Sequence, residues 1–128
     1  AIIRTAYALG VDGVIACGVK SLPLEAIIRT STGALYDTPF AIETNVHNVL
    51  NDLKMSGFTT YGADMGGKDI REVTIKPKRA LFLGSEGEWL TARVSSKLDE
   101  IVSIKMAHAF DSLNVGAAGA ILMDRMRR

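Results

Sequence analysis

Short apolar runs alternate along the chain with stretches in which apolar residues recur every three or four positions. The first pattern marks buried strands and the second amphipathic helices. "AIIRTAYALG" (1–10) reads as a helix closed by Gly10, a natural C-terminal stop. "GVIAC" (13–17) is a short strand. "LPLEAIIRTS" (22–31) has Pro23 near its start and Leu24, Ile27 and Ile28 on one face, and reads as a helix. "PFAIE" (39–43) is a second strand. "NVHNVLNDLKMSG" (45–57) offers Asn45 as N-cap, a stripe of Val46, Val49, Leu50 and Leu53, and Gly57 as terminator.

The second half repeats the theme. "FTTYGAD" (58–64) is a third strand, "MGGKD" (65–69) a loop and "EVTI" (72–75) a weakly patterned fourth strand. "RALFLG" (79–84) is a buried strand ending at a glycine, "EWLTARVSSKL" (88–98) a helix and "EIVSI" (100–104) a strand. A last helix runs from about Leu113 to Arg127, with Val115, Ala118, Gly119, Leu122 and Met126 in one stripe. Arg125, Arg127 and Arg128 stand at the end that favours cations. Strands alternating with helices predict an α/β fold, a mostly parallel sheet covered on both faces. Ligands of such sheets sit at the carboxyl ends of strands, so the segments after Tyr61, Leu83 and Ile104 matter most.

Composition narrows the class. With 128 residues the chain is long enough for one domain with a real core. No apolar run reaches the roughly 18–20 residues of a membrane span, and no signal peptide is visible. The single Cys17 excludes an internal disulfide and fits a reducing, cytoplasmic setting. Two His and one Cys, scattered, make no zinc pattern, so no metal is expected. A net charge of +1 does not by itself announce a nucleic-acid binder.

Three stretches could carry chemistry. In "LFLGSEGEW" (81–89), Gly84 directly follows a strand, where main chain can approach a ligand closely. Ser85 and Glu86 then offer polar groups, although an ordinary strand-to-helix turn would look the same and no G-x-G-x-x-G fingerprint is present. In "SIKMAHAFDSLNV" (103–115), Asp111 or Ser112 can simply cap the last helix. Asn114 is harder to explain, because Asn inside a first helical turn adds little propensity. Arg4, among Ile2, Ile3, Ala6 and Ala8, reads by itself as a solvent-facing charge.

Taken together and in order, "AIIRTAYALGVDGVI", "LFLGSEGEW" and "DSLNVGAAGAIL" resemble the three signature motifs of the SpoU branch of the SPOUT RNA methyltransferases. "TSTGAL" (30–35) and "GADMGG" (62–67) also look like that family, so the resemblance spans essentially the whole chain. It implies a C-terminal deep trefoil knot, a topology that general folding rules would never suggest. It also implies a homodimer with each active site near the shared interface. The implied activity is transfer of a methyl group from S-adenosylmethionine to a ribose 2′-hydroxyl of tRNA or rRNA. A catalytically silent RNA-binding relative is the alternative.

The same resemblance assigns residues. Arg4 matches the arginine of the first motif, Glu86 the acidic residue of the second, and Ser112 and Asn114 the polar pair of the third. Cofactor binding, largely through main chain, carries over to Gly84, Ile104, Met106 and Leu113, with Thr60 at the end of the third strand as a neighbour of the adenosine. Arg4 would either act as general base or clamp the adjacent phosphate and stabilise alkoxide charge. Three residues depart from the family pattern. Lys105 replaces a Pro, and His108 and Trp89 stand where Gly is common. The Asn-x-Gly that usually precedes the position of Ala1 is absent, so residues 1–128 read as a catalytic domain without its first strand and without any N-terminal RNA-binding domain.

Overall fold

The computed structural model describes residues 2–17, 39–84, 90–108 and 113–127. The expected helix at 22–31 lies outside them. Helix α1 (Ile2–Ala8) leads through Gly10, at φ 75°, to strand β1 (Val14–Cys17). That conformation is cheap only for glycine, which is why the helix stops there. Strand β2 (Phe40–Glu43) pairs parallel with β1, Val14 opposite Phe40 and Cys17 opposite Glu43. Helix α2 (Val46–Met55) starts at Asn45, whose Oδ1 accepts the His47 N–H at 2.9 Å, and ends before Gly57 at φ 87°. Val49 and Leu50 of its stripe are buried.

Three further strands form a second parallel sheet, in the order β4-β3-β5. They are β3 (Thr59–Asp69), β4 (Arg79–Phe82) and β5 (Glu100–Ser103). The expected single sheet is therefore two sheets among the described residues. Helix α3 is one turn, Ala92–Ser95, opened by Thr91, whose Oγ1 accepts the Val94 N–H. Helix α4 (Val115–Met126) follows β5 and packs beside α1.

The central strand β3 divides the layers. Side chains alternate along a strand, so Tyr61 and Ala63 share one face. There they form a core with Val102, Ile70, Leu122 and Met126. On the opposite face a Cβ at Gly62 would sit 2.3 Å from Leu98 Cδ1, so the glycine makes room for that leucine.

The structure corrects three expectations. Residues 65–69 are not a free loop, because β3 continues to Asp69. Ala63 and Lys68 both pair with Val102, so Asp64, Met65, Gly66 and Gly67 leave the ladder and return to it. Residues 72–75 are not a strand. Ile70–Glu72 form a 3₁₀ turn, and the Lys76 N–H is donated at 3.0 Å to the Tyr61 hydroxyl rather than to a neighbouring strand. Finally, Thr60 stands at the beginning of β3, not its end. It is fully buried and locked to Asp99: its N–H and hydroxyl both donate to Asp99 Oδ2, at 2.8 and 2.9 Å. Donation by the Thr60 main chain and hydroxyl, with Lys54 nearby, holds the Asp99 carboxyl below the usual carboxylate range.

Two outcomes follow. A Cβ at Gly67 would lie 2.6 Å from the carbonyl carbon of Ile101, whereas one at Gly66 would meet nothing within 4 Å. Gly67→Ala should therefore cost roughly 1–3 kcal/mol in urea unfolding, and Gly66→Ala no more than about 0.5 kcal/mol. Because the folded Asp99 pKa is depressed, its stabilisation is present above the unfolded value of about 3.9 and is lost as pH falls through the folded value. Asp99→Asn should lower the urea midpoint at neutral pH, and the gap from the unsubstituted protein should close below about pH 4.

Candidate functional site

At the carboxyl edge of the second sheet lies a half-open hollow. Strand β3 contributes Ala63, Asp64 and Met65 to its wall, and β5 contributes Val102 and Ser103. The chain leaving β5 adds Ile104 and Met106, and the entry to α4 adds Leu113. Ala118 and Leu122 close the floor from α4. All but Asp64 and Ser103 are apolar side chains.

Each wall is placed by a local device. The Ser103 hydroxyl donates to the Gly67 carbonyl at 2.8 Å, tying the returning end of the β3 excursion to the last residue of β5. Beyond it the chain leaves the ladder, and the main chain of Met106 and Ala107 makes no hydrogen bond among the described residues. Asn114 is the N-cap of α4: its Oδ1 accepts the Ala117 N–H at 2.8 Å and its carbonyl accepts from Ala118 at 3.0 Å. At the other end the Arg79 guanidinium donates to the Met126 carbonyl, a C-terminal carbonyl left open by the helix. The N-terminus of α4, with its partial positive charge, therefore faces the carboxyl edge of the sheet.

Of the residues assigned from sequence, Ile104, Met106 and Leu113 come together on this hollow. Gly84 is half-buried just beyond β4, on the side of β3 away from β5, and is not part of the wall. Thr60 lies at the opposite end of β3 with its hydroxyl committed to Asp99. Arg4 is exposed on α1, whose neighbour is α4. Asn114 is an exposed cap rather than a residue of the first turn. Glu86, Ser112 and Trp89 lie outside the described residues. His108 is exposed.

Sequence reasoning missed Asp64, Met65 and Ser103. The available signal was the Gly66-Gly67 pair two positions after Asp64 in a strand, which marks a bulge as readily as a loop. Near the site, Asp69 is held below its usual range by hydrogen bonds from Arg71, with a smaller contribution from Lys105. Far from it, burial pushes the Cys17 thiol up, which argues against a thiolate nucleophile.

An apolar hollow at the carboxyl ends of parallel strands, bordered by main chain that has left its ladder, lies where open α/β sheets hold their ligands. The family described as the SpoU rRNA methylase family matches residues 1–124. The chain belongs to that family. It is 35% identical over its whole length to an uncharacterized tRNA/rRNA methyltransferase of Borreliella burgdorferi, covering 57% of that protein. It is 35% identical, over 95% of its length, to a Staphylococcus aureus protein assigned to the TrmH family of tRNA/rRNA methyltransferases, covering 50% of it. The chain thus spans about half the length of the curated relatives it matches.

Solved structures agree. The AdoMet-bound rRNA methyltransferase of Sinorhizobium meliloti superposes with a TM-score of 0.87 at 26% identity, over 98% of this chain and 49% of that one. The SpoU methyltransferase AviRb of Streptomyces viridochromogenes, in complex with AdoMet, gives 0.83 at 27% identity, over 98% and 52%. A structure described as an RNA 2′-O ribose methyltransferase gives 0.86 at 26% identity, over 98% and 48%.

The cap at the mouth of the hollow is testable by itself. Asn114→Ala removes the acceptor for the Ala117 N–H and should cost roughly 0.5–2 kcal/mol in thermal or urea unfolding, while Asn114→Asp should retain most of the stability.

Proposed function

We propose that the protein of which this chain is part transfers a methyl group from S-adenosylmethionine to a ribose 2′-hydroxyl of tRNA or rRNA. The observation that carries the reading is the hollow between β3, β5 and α4, in a chain of the SpoU family whose AdoMet-bound relatives share its fold. The lining suits the cofactor's chemistry. Ile104, Leu113 and Leu122 offer apolar surface for an adenine ring, and the free main chain at Met106 and Ala107 offers donors and acceptors for its edge. When bound, S-adenosylmethionine supplies an electrophilic methyl group on a sulfonium.

The chain's own residues then have to hold an oxygen in line with that methyl group. Arg4, exposed on the helix beside α4, is the residue we assign to the RNA phosphate and to developing alkoxide charge. Glu86 and Ser112 are assigned from the family motifs to the same site, with Gly84 as a main-chain contact. Asn114 caps α4 and orients its N-terminus toward the ligand.

The remaining parts of the reading are a homodimer, a knotted C-terminal segment and a cytoplasmic setting. Two exposed apolar residues on the packed pair α1 and α4, Tyr7 and Ile121, support an interface between copies. Among the described residues no helix is long and apolar enough to cross a membrane.

Calorimetry on the full-length protein should show S-adenosylhomocysteine binding. Nucleoside mass spectrometry of the treated RNA should find the methyl group on ribose. Arg4→Ala should lower turnover on the order of 10²-fold with little change in cofactor affinity, since its work lies in the transition state. A methylated base would refute the ribose assignment, and RNA binding without cofactor binding would mark a silent relative.

A further inference from the structure

Among the described residues, Asp64 supplies the only ionisable side chain in the wall of the hollow. It stands at the point where β3 leaves its ladder, between Ala63, still paired with Val102, and Met65. Its Oδ1 accepts the Gly66 N–H at a long 3.3 Å. Its Oδ2 has no hydrogen bond or ion pair among the described residues, and the side chain is half-buried. The other polar side chain of the wall, Ser103, already donates its hydroxyl to the Gly67 carbonyl. Among the described residues the hollow thus presents one half-exposed carboxylate with a free oxygen and no cation beside it. That oxygen is an acceptor open to a ligand's donor.

A carboxylate only accepts hydrogen bonds, so the group it awaits must carry O–H or N–H. The deeper wall is apolar and suits a flat base, through Leu113, Ala118 and Leu122. The next part of a nucleoside, moving out from its base, is the sugar. A vicinal diol carries two O–H groups at a spacing that one carboxylate can accept together. We propose that Asp64 binds the ribose hydroxyls of the adenosine cofactor and so selects a ribonucleoside. This rests on the cofactor reading above and adds a side-chain contact to a site otherwise built from main chain and apolar surface. The excursion that Gly67 permits is what carries the carboxylate to the rim, since in an unbroken ladder Asp64 would pair along β5.

The test uses the full-length protein and two ligands, S-adenosylhomocysteine and 5′-methylthioadenosine. Both have the ribose diol, and only the first has an ammonium group. Asp64→Ala should weaken both by about tenfold or more. Asp64→Asn keeps an oxygen for the Gly66 N–H and the shape of the turn, so it serves if the alanine variant fails to fold, and it too should weaken both ligands. Unchanged affinity for both ligands in Asp64→Asn would overturn the assignment. Loss confined to S-adenosylhomocysteine would also overturn it, placing the carboxylate on the ammonium instead. If the unsubstituted protein binds neither ligand, the cofactor reading falls and this inference with it.

Discussion

The carboxyl edge of the sheet depends on how closely β3 can approach β5 at one point. Gly67 lies against the peptide linking Ile101 to Val102, at a separation that leaves no room for a Cβ. That contact lets Lys68 pair with the same Val102 that Ala63 has already used. The four residues between are displaced from the ladder without breaking the strand. Val102 itself is fully buried, so the contact is made in the core rather than at a yielding surface. The Ser103 hydroxyl then fastens the Gly67 carbonyl, and only beyond it is the chain released to form the wall at Ile104 and Met106.

The two ends of the sheet are built in opposite ways. At the amino end hydrogen bonds are dense. Thr60 and Asp99 exchange several, Tyr61 holds the main chain at Lys76, and Lys54 reaches both the Lys97 carbonyl and the Asp99 carboxylate. Desolvation lowers the pKa of His47 there, and the nearby Lys97 and Arg93 lower it further. At the carboxyl end the main chain is left open and the surface is apolar. A rigid base with an unsatisfied rim is a physical arrangement suited to a ligand that supplies the missing partners.

Much of the architecture was legible from periodicity. The stripe Val49, Leu50 and the cap Asn45 appear in α2 as expected, and the glycines at 10 and 57 stop their helices through positive φ. The failures have a common cause. Residues 65–69 and 72–75 are governed by contacts with distant partners, Val102 in one case and the Tyr61 hydroxyl in the other, and local pattern carries no trace of these. Thr60 was assigned by family resemblance and placed at the end of its strand, whereas β3 runs on to Asp69 and Thr60 stands at its start. Asn114, hard to explain inside a first turn but able to cap, is the cap, because the last helix begins at Val115, two residues beyond the expected Leu113. Ile104, Met106 and Leu113 were reached by family resemblance, and the structure gathers them on one hollow. Asp64 was not found, since the Gly66-Gly67 pair beyond it signals a loop as readily as a bulge that would swing it out of the strand.

Helix α4 is fastened at both extremities, by Asn114 around its first turn and by Arg79 at the Met126 carbonyl, while Leu122 and Met126 are sunk in the core between these points. A rod held this way cannot act as a piston. Travel along its axis by even one residue, about 1.5 Å, would tear the guanidinium from its carbonyl and drag the two buried side chains past Tyr61. The hollow is therefore bounded on this side by a fixed post, with Ala118 and Leu122 keeping their places in its floor whatever the hollow holds.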